Sequence, residues 1–513
     1  MSAQGDITIL TPGPEHFRRR KVGPHQLARG GRLRVGMKVL VVAPYPPSGD
    51  SNSLWAQAWC QELVRRDSNV QIRVAAAEEH GSCLFQGPEV AIVTPNLEVT
   101  RPWNRTFSTG RIEKSILSEV RSFRPDLVHF HFNFFTFGGV LKSLRVLARV
   151  LRVLHSERVS TLVTLHSVVA SPARYFSTRF GLRVPVPRSL DRGLSLLGAG
   201  TLKLAMSSAN MVVLTSKEAV VWTRDLAGLP SSVLRYIPLG RLEDGPPKSR
   251  FVAAGPPGER DPRPRVAFVG RIIPYKGLDD LVRAAEVLKQ QGREIKLRIL
   301  GAAGTLRAKR DSYIGRLTRL IRTITDGSVA LDSRFVPTDE YERLTEATDV
   351  FVFPFVDDGV LSASASVLDL GASSPARLVL TTVPRLSEYH DVRGTFFCPE
   401  HDPSALADAI WNAVTAPPVD ADRRERELRA FSPSEIASQY LDAYRTICPV
   451  PFGGGPDYVV LPAPKYLTIG KRAAPTPASD RAEPSRFATA PAVPGAPHPY
   501  DTNLLGSKEP TSR

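Results

Sequence analysis

The stretch that decides the fold is Phe268-Val-Gly-Arg-Ile-Ile-Pro-Tyr-Lys-Gly-Leu-Asp-Asp-Leu-Val-Arg283. Apolar residues before Gly270 predict a short buried strand, and leucine and valine after Gly277 recur at helical spacing. The turn between them carries two cations, Arg271 and Lys276. Open α/β sheets bind ligands at the carboxyl ends of their strands, and helix starts attract anions. The turn is therefore a candidate anion site, with a surface turn of two solvated charges as the alternative.

This segment resembles the phosphate-binding motif of the family 4 glycosyltransferases, in which Gly-Arg and two apolar residues precede Pro-x-Lys-Gly. The resemblance implies a GT-B fold, an α/β architecture in which two Rossmann-like domains face each other across a cleft. It also implies that Arg271 and Lys276 hold the diphosphate of a nucleotide-sugar donor. There they would stabilise the charge that develops on the departing diphosphate. In this family the cations replace a metal ion, and no Asp-x-Asp motif stands out, so no metal or other cofactor is expected.

Alternating strand and helix patterns on both sides of the linker predict two parallel sheets. We predict five segments: a basic disordered arm (1–36), an N-terminal Rossmann-like acceptor-side domain (37–242), a linker rich in glycine, proline and charge (243–264), a C-terminal Rossmann-like donor-binding domain (265–448) and a disordered Pro/Ala-rich tail (449–513). The first strand begins abruptly at Met37, which could be the real start of the protein. The family resemblance further implies that the last helix of the second domain packs back on the first.

Composition limits the function classes. The 513 residues carry a formal net charge of +16, which fits an anionic partner such as a nucleotide or a membrane surface. The four cysteines are scattered without a CxxC pair, so neither a disulfide framework nor a zinc site is indicated. The sequence contains no secretory signal and no apolar run of membrane-spanning length, and a cytoplasmic protein is the default expectation. No helix-turn-helix or RNA-binding motif supports a nucleic-acid partner.

The second signature of the family is a pair of glutamates eight residues apart, and the sequence departs from it. Asp358 and Asp369 stand eleven positions apart, with small residues between them. Asp369 could bind the ribose hydroxyls of the donor, and Asp358 or its neighbour Asp357 could contact the donor sugar. Ser366 and Asp369 also fit a helix capping box, which is the structural alternative. Ser364 and Ser366 are candidate contacts of the diphosphate at a helix start.

Three histidines and one glycine of the first domain are further candidates. His166 ends a strand at a position where family members often carry His-Asp facing the transferred sugar, although a lone histidine there is more often structural. His129 and His131 alternate along one strand and share a face, for which a packing role is the expectation. Gly49 follows the first strand, where a family glycine pair allows the backbone to approach the donor phosphate or the acceptor.

Helix 138–154 carries four cations on one face, beside a broad leucine and valine face; they are Lys142, Arg145, Arg149 and Arg152. Such a helix could lie on an anionic membrane as a peripheral contact. An ordinary Rossmann helix with a solvated charged face is the alternative.

These features predict a retaining glycosyltransferase of hexosyltransferase type, acting in carbohydrate or glycolipid biosynthesis. It would move a sugar from a nucleoside-diphosphate-sugar donor to an unknown hydroxyl acceptor, which could be a glycan, a lipid or a small molecule. Arg271, Lys276 and His166 are the predicted catalytic residues. The altered carboxylate pair motivates one alternative, a non-catalytic GT-B protein that binds nucleotide or a partner. A sugar-nucleotide epimerase on the same fold is another.

Overall fold

The computed structural model describes residues 8–9, 20–21, 36–46, 48, 51–78, 94–180, 187–242, 262–302, 307–324, 327–334, 343, 347–374, 376–417 and 419–448. In the N-terminal arm it describes a two-residue antiparallel pairing of β1 (Thr8–Ile9) with β2 (Arg20–Lys21). The predictions for the rest of that arm, for Gly49, for residues 243–261 and for the tail after residue 448 lie outside the described residues.

The first half of the chain alternates strands and helices around one parallel sheet. Its strands are β3 (Met37–Val42), β4 (Val70–Glu78), β5 (Leu97–Asn104), β6 (Leu127–Phe132), β7 (Ser160–Leu165), β9 (Met211–Leu214) and β10 (Leu234–Tyr236), and the short β8 (Ser167–Val169) lies outside this sheet. Its helices are α1 (Ser51–Arg66), α2 (Thr109–Phe123), α3 (Val140–Ser156), α4 (Pro172–Phe180), α5 (Arg188–Met206) and α6 (Lys217–Asp225). Among the described residues, the strand order is β5-β4-β3-β6-β7-β9-β10.

The second half repeats the architecture. Its sheet contains β11 (Arg265–Val269), β12 (Lys296–Leu300), β13 (Val329–Asp332), β14 (Val350–Phe353), β16 (Arg377–Thr381) and β17 (Thr395–Cys398), while β15 (Val360–Ser362) lies outside it. The helices are α7 (Leu278–Gln290), α8 (Arg307–Ile324), α9 (Ala365–Ser373), α10 (Pro403–Thr415), α11 (Ala421–Leu428) and α12 (Pro433–Ile447). Where the structure describes it, this sheet is parallel with the order β13-β12-β11-β14-β16-β17.

Both sheets reverse their strand order at one point, between β3 and β6 in the first and between β11 and β14 in the second. At such a switch point the loops on either side run to opposite faces of the sheet, and a crevice opens at the carboxyl ends of the strands. In the second sheet the loops that flank this crevice follow β11 and β14. They carry the predicted cation turn and the segment that begins at Pro354.

The core follows from the two-residue period of the strands. In β3, Val39 and Val41 face α1 and α12, whereas Leu40 and Val42 face the cluster built by α2 and α3. The last helix, α12, packs on α1. This is the packing that the family resemblance implies, and it ties the end of the second half of the chain to the first sheet.

His129 has the packing role that the strand alternation predicts. Its Nδ1 lies 2.7 Å from the Tyr444 hydroxyl and its Nε2 lies 2.8 Å from Thr164 Oγ1, which in turn lies 3.0 Å from the Tyr440 hydroxyl. The ring is fully buried. His129 therefore connects the first sheet to α12.

Several elements were not predicted from the sequence, among them β5, α2 and α5. β5 contains Pro102 and several polar residues, which weaken a strand pattern. It lies at the edge of the sheet, where one side of the backbone has no ladder partner, and an edge strand tolerates proline. The pattern was therefore missed because the sequence alone does not show which strand is at the edge.

Candidate active site

The cation turn is held against the end of β14 by a close backbone approach. Gly277 has φ +68°, and a Cβ atom there would lie 1.7 Å from the carbonyl oxygen of Pro354. The amide of Val356 donates to the carbonyl of Tyr275 over 2.9 Å. Only glycine fits at position 277, because both the left-handed backbone and the contact exclude a side chain. The turn is thus fixed beside the segment that follows β14.

Lys276 lies buried in this turn, with 8% of its surface exposed. Its Nζ sits 3.6 Å from the centre of the Phe355 ring and 5.3 Å from that of the Tyr275 ring. Burial lowers the pKa of the ammonium well below its usual value, and the neighbouring Arg385 and Arg271 lower it further, against the opposing effect of Asp358. The ammonium is therefore placed where an anionic ligand would relieve its desolvation. Arg271, by contrast, is exposed.

A third cation, Arg385, joins the two that the sequence predicts. It lies in a 3-10 turn (Pro384–Tyr389) after β16, is 8% exposed, and stacks 4.6 Å from the centre of the Tyr275 ring. The sequence did not reveal Arg385, because no motif marks it and it lies beside the cation turn only once the sheet has folded. Apolar residues flank it on both sides, which is a weak signal that the arginine turns inward.

Asp358 is paired with this arginine. Its Oδ1 accepts a hydrogen bond from Arg385 over 2.7 Å and one from the amide of Val360 over 3.3 Å. The carboxylate is 1% exposed, and its Oδ2 has no partner among the described atoms. Asp358 therefore belongs to the cation cluster, defined here as Arg271, Lys276, Arg385 and Asp358. Its predicted contact with the donor sugar stays a prediction.

The first turn of α9 lies next to the cation turn. A Cβ atom on Gly270 would lie 3.7 Å from Ser366 Oγ. Helix α9 begins at Ala365 with Ser364 in the cap position, and the Ser364 side chain makes no capping hydrogen bond. The capping-box alternative for Ser366 and Asp369 is therefore wrong, because both residues lie inside the helix. The first turn of α9, where the amide groups of a helix have no partner within the helix, therefore lies close to Gly270 at the start of the cation turn.

Two predicted donor-side residues have partners within the protein. Ser364 is buried, and its carbonyl accepts from the Tyr389 hydroxyl over 3.2 Å. Asp369 Oδ1 accepts from the amide of Leu242 over 3.1 Å. Asp369 thereby holds the chain where it leaves the first sheet, and its half-buried carboxylate remains a candidate for ribose.

His166 follows β7 directly, on the side of the first sheet where its strands end. Its Nε2 lies 3.1 Å from Nδ1 of His131, so one ring donates and the other accepts. Both rings rest against Trp55, with centres 5.3 Å and 5.2 Å from the Trp55 ring. Burial, followed by the neighbouring rings of His129 and His166, lowers the pKa of His131 well below its usual value. The His131 ring is therefore neutral at neutral pH and orients His166 without repelling it.

A strand pair joins the two halves of the chain beside these groups. β8, which begins one residue after His166, pairs antiparallel with β15, which begins two residues after Asp358. The carbonyl of Gly359 accepts from the amides of Ala170 and Ser171 over 2.8 Å and 3.0 Å. Consequently the histidine of the first sheet and the cation cluster of the second are held in a fixed register.

Two absences apply to the described residues alone. In the ranges given above, no group of three or more histidine, cysteine, aspartate or glutamate side chains is arranged to hold a metal ion. Within the same part of the chain, no helix has the length and apolar character needed to cross a membrane.

Comparison with known sequences identifies a domain in the second half of the chain. Residues 263–415 match the family model described as Glycosyl transferases group 1. Over 200 residues the chain is 30% identical to the alpha-maltose-1-phosphate synthase of Mycobacterium tuberculosis (strain ATCC 25618 / H37Rv), which covers 36% of this chain and 49% of that protein. The chain therefore spans about half the length of the curated relatives it matches.

Solved structures show the fold. The sucrose-phosphate synthase of Thermosynechococcus elongatus has a TM-score of 0.57 at 16% identity, with 80% of this chain and 98% of that one covered. Anabaena HepE, solved in complex with UDP, has a TM-score of 0.52 at 14% identity, with 80% and 100% covered. At this identity the likeness concerns the fold alone, and it confirms the predicted GT-B architecture. The chain thus has a GT-B fold, and its residues 263–415 match the group 1 glycosyltransferase model.

Proposed function

We propose that the protein is a retaining glycosyltransferase that moves a sugar from a nucleoside-diphosphate-sugar donor to a hydroxyl acceptor. The observation that carries the proposal is Lys276, a buried ammonium beside Arg271 and Arg385 at the switch point of the second sheet. A buried charge is costly unless it is paired, and a diphosphate would pair it. The match of residues 263–415 to the group 1 glycosyltransferase model supports the same chemistry.

The donor diphosphate would bind between the cation cluster and the first turn of α9. As the bond between the sugar and the diphosphate breaks, negative charge grows on the leaving oxygen. Arg271 and Lys276 would stabilise this charge, together with the α9 amides and Ser366. Arg385 would act through Asp358, which its guanidinium neutralises. Since fixed cations supply this stabilisation, we expect turnover to be unchanged by a chelator such as EDTA.

The acceptor side would be formed by the first sheet. His166 would hydrogen-bond a hydroxyl of the transferred sugar, and the β8–β15 pair would set its distance from the donor. Retention means that the new bond forms on the face of the sugar from which the diphosphate leaves. The anomeric configuration of the first-formed product, determined by NMR, tests retention directly.

The first experiment is a thermal-shift titration with UDP, GDP, ADP, TDP and CMP. UDP comes first because the Anabaena neighbour holds it. A nucleotide at a hundred times its dissociation constant adds about 2.7 kcal/mol of stability. We expect a shift with one diphosphate in the wild type and none in Lys276→Ala. The matched control is Lys114→Met, an exposed lysine of α2, which should shift like the wild type. An equal shift in Lys276→Ala would refute the site.

The buried pairing of Asp358 with Arg385 favours one second candidate, a GT-B protein that binds nucleotide without turnover. In that case the Asp358 carboxylate binds Arg385 within the protein and does not contact a sugar. Binding of a nucleotide without hydrolysis or transfer from any nucleotide sugar would support this candidate. Release of nucleoside diphosphate only when an acceptor is present would support transfer, and conversion of the donor without any acceptor would indicate an epimerase.

A further inference from the structure

Exposed apolar side chains are concentrated on one part of the first half of the chain. Among the described residues, every large apolar side chain that is at least 36% exposed lies between Leu54 and Leu226. Five of them are leucines of α5, at positions 190, 194, 196, 197 and 204. Isolated exposed leucines are normal on a protein surface, but a row of them on one helix marks an interaction surface.

Helix α5 presents five of its leucines outward and buries Leu202 and Met206 together with three small residues. Leu190, Leu197 and Leu204 are 54%, 68% and 67% exposed, and their seven-residue spacing places them on one line along the helix. At 1.5 Å per residue this line is about 21 Å long. Ser195 and Ala199 are buried instead. We call the three leucines the leucine ridge.

Helix α3 packs against α5 and continues the surface. Leu141 is 71% exposed, and Arg145 and Arg149 follow it at four-residue steps, which puts all three on one face. On α5 itself, Arg192 and Lys203 are also exposed, about a third of a turn around the helix from the leucine ridge. The surface therefore combines apolar tips with cations.

The charged residues of this surface are almost all basic. The sequences of α3, α4 and α5 contain nine lysines and arginines and one acidic residue, Asp191. Asp191 is turned inward, where it accepts from Ser171 Oγ over 2.7 Å and from the amide of Ala173 over 3.0 Å. Where the structure describes them, three of the nine cations have partners within the protein: Arg149 lies 3.6 Å from Glu113 of α2, Arg174 pairs with Asp357, and Lys142 donates to the carbonyl of Arg105 over 2.7 Å.

We propose that α5 and the start of α3 form a docking surface for an anionic lipid bilayer. The leucine ridge would enter the boundary between headgroups and acyl chains, and the exposed cations of α3 and α5 would extend toward anionic headgroups. Each cation near such a surface adds about 1 kcal/mol of attraction. A second copy of the chain would bring two basic faces together, and a nucleic acid offers no apolar partner to leucines. The predicted basic face of helix 138–154 supplies cations to this surface, while the apolar contact comes from α5.

The test is co-sedimentation of the full chain with vesicles. We expect binding to phosphatidylcholine vesicles that contain phosphatidylglycerol, and weak binding to phosphatidylcholine alone. The double variant Leu197→Ser/Leu204→Ser should weaken binding at least about tenfold, because each leucine loses part of the free energy of apolar burial. Val221→Ser on α6 is the matched control, since Val221 is 39% exposed outside this surface. It should bind like the wild type.

A second pair of substitutions tests the charge. Arg145→Gln/Arg192→Gln should weaken binding to the anionic vesicles, and added salt should weaken the wild type in the same way. Both residues are exposed, so the melting temperature should not change. Three results would overturn the proposal: no vesicle binding by the wild type, equal binding by the leucine double variant, or self-association that the leucine double variant abolishes. The last result would make a second copy of the chain the occupant.

Discussion

Replacing Lys276 with methionine should change stability and ligand binding in opposite directions. Methionine keeps the unbranched shape of the side chain and a favourable contact with the Phe355 ring, but it removes the buried charge. In the free protein the lowered pKa of Lys276 means that burial, and then the neighbouring Arg385 and Arg271, disfavour the ammonium relative to water. Replacing a buried ion pair with apolar groups of similar volume is often neutral or stabilises a protein by about 1–4 kcal/mol, and removal of the Lys276 charge relieves the same desolvation. We therefore expect the free variant to be more stable than the wild type.

Nucleotide binding should weaken in the same variant. A hydrogen bond to a charged group contributes about 1.5–3 kcal/mol, so the dissociation constant of the preferred nucleotide should rise about tenfold to a hundredfold. Isothermal titration calorimetry measures this affinity, and denaturant unfolding measures the stability of the free protein. Arg271→Met is the matched comparison: because Arg271 is exposed, this variant should lose affinity with little change in stability.

The pH dependence of stability independently checks that Lys276 destabilises the free protein. The pKa of Lys276 is lower in the folded protein than in the unfolded chain, so the unfolded chain binds more protons between the two values. The unfolding free energy of the wild type therefore rises with pH across that window, relative to Lys276→Met. The advantage of the variant is largest below the folded-state pKa and shrinks as the pH approaches 10.5. A free variant that is less stable than the wild type and binds nucleotide normally would refute the reasoning, since Lys276 would then be a structural residue.

Three further predictions concern the groups around the site. Arg385→Met should lower the unfolding free energy by about 3–5 kcal/mol because it leaves the buried Asp358 carboxylate unpaired, and adding Asp358→Leu should restore most of the loss in urea unfolding. Gly359→Ala should lower the melting temperature more than Gly292→Ala, since both have φ near +70° but only the Gly359 Cβ would meet the backbone of the facing half, at 2.4 Å; equal losses would contradict the contact. Burial raises the pKa of Glu388 from 4.5 to about 7. As the pH rises between those values, the unfolding free energy of the wild type, relative to that of Glu388→Gln, should therefore fall by up to about 1.4 kcal/mol per pH unit. A difference that does not change with pH would contradict the burial.

The cation turn could be predicted because its information is local. Gly270 and Gly277 lie within eight residues of the strand and helix that they connect, and the conformations they allow are set by their own backbone. Arg271 and Lys276 lie in the same turn, so their placement at the strand end follows from sequence. Arg385 could not be predicted, because its place beside Tyr275 depends on the distance between β11 and β16 in the folded sheet.

The interdomain strand pair and the α5 surface show the same limit. β8 and β15 have three residues each, too few for a pattern, and they pair only because the two sheets bring them together. Helical periodicity places Leu190, Leu197 and Leu204 on one face of α5, but a periodic apolar row usually predicts the buried face. The structure buries a different face of α5, formed by Ser195, Ala199, Leu202, Ala205 and Met206.

The sequence by itself determined the β-α repeats, the two-sheet α/β class and the cation turn, because backbone preferences and side-chain periodicity act over a few residues. The tertiary structure decided the position of the third cation, Arg385, and its ion pair with Asp358. It also decided the register between His166 and the cation cluster, and the exposure of the α5 leucines. Each of these depends on contacts between residues far apart in the chain. Such contacts are set by the packing of whole elements, which no short stretch of sequence encodes.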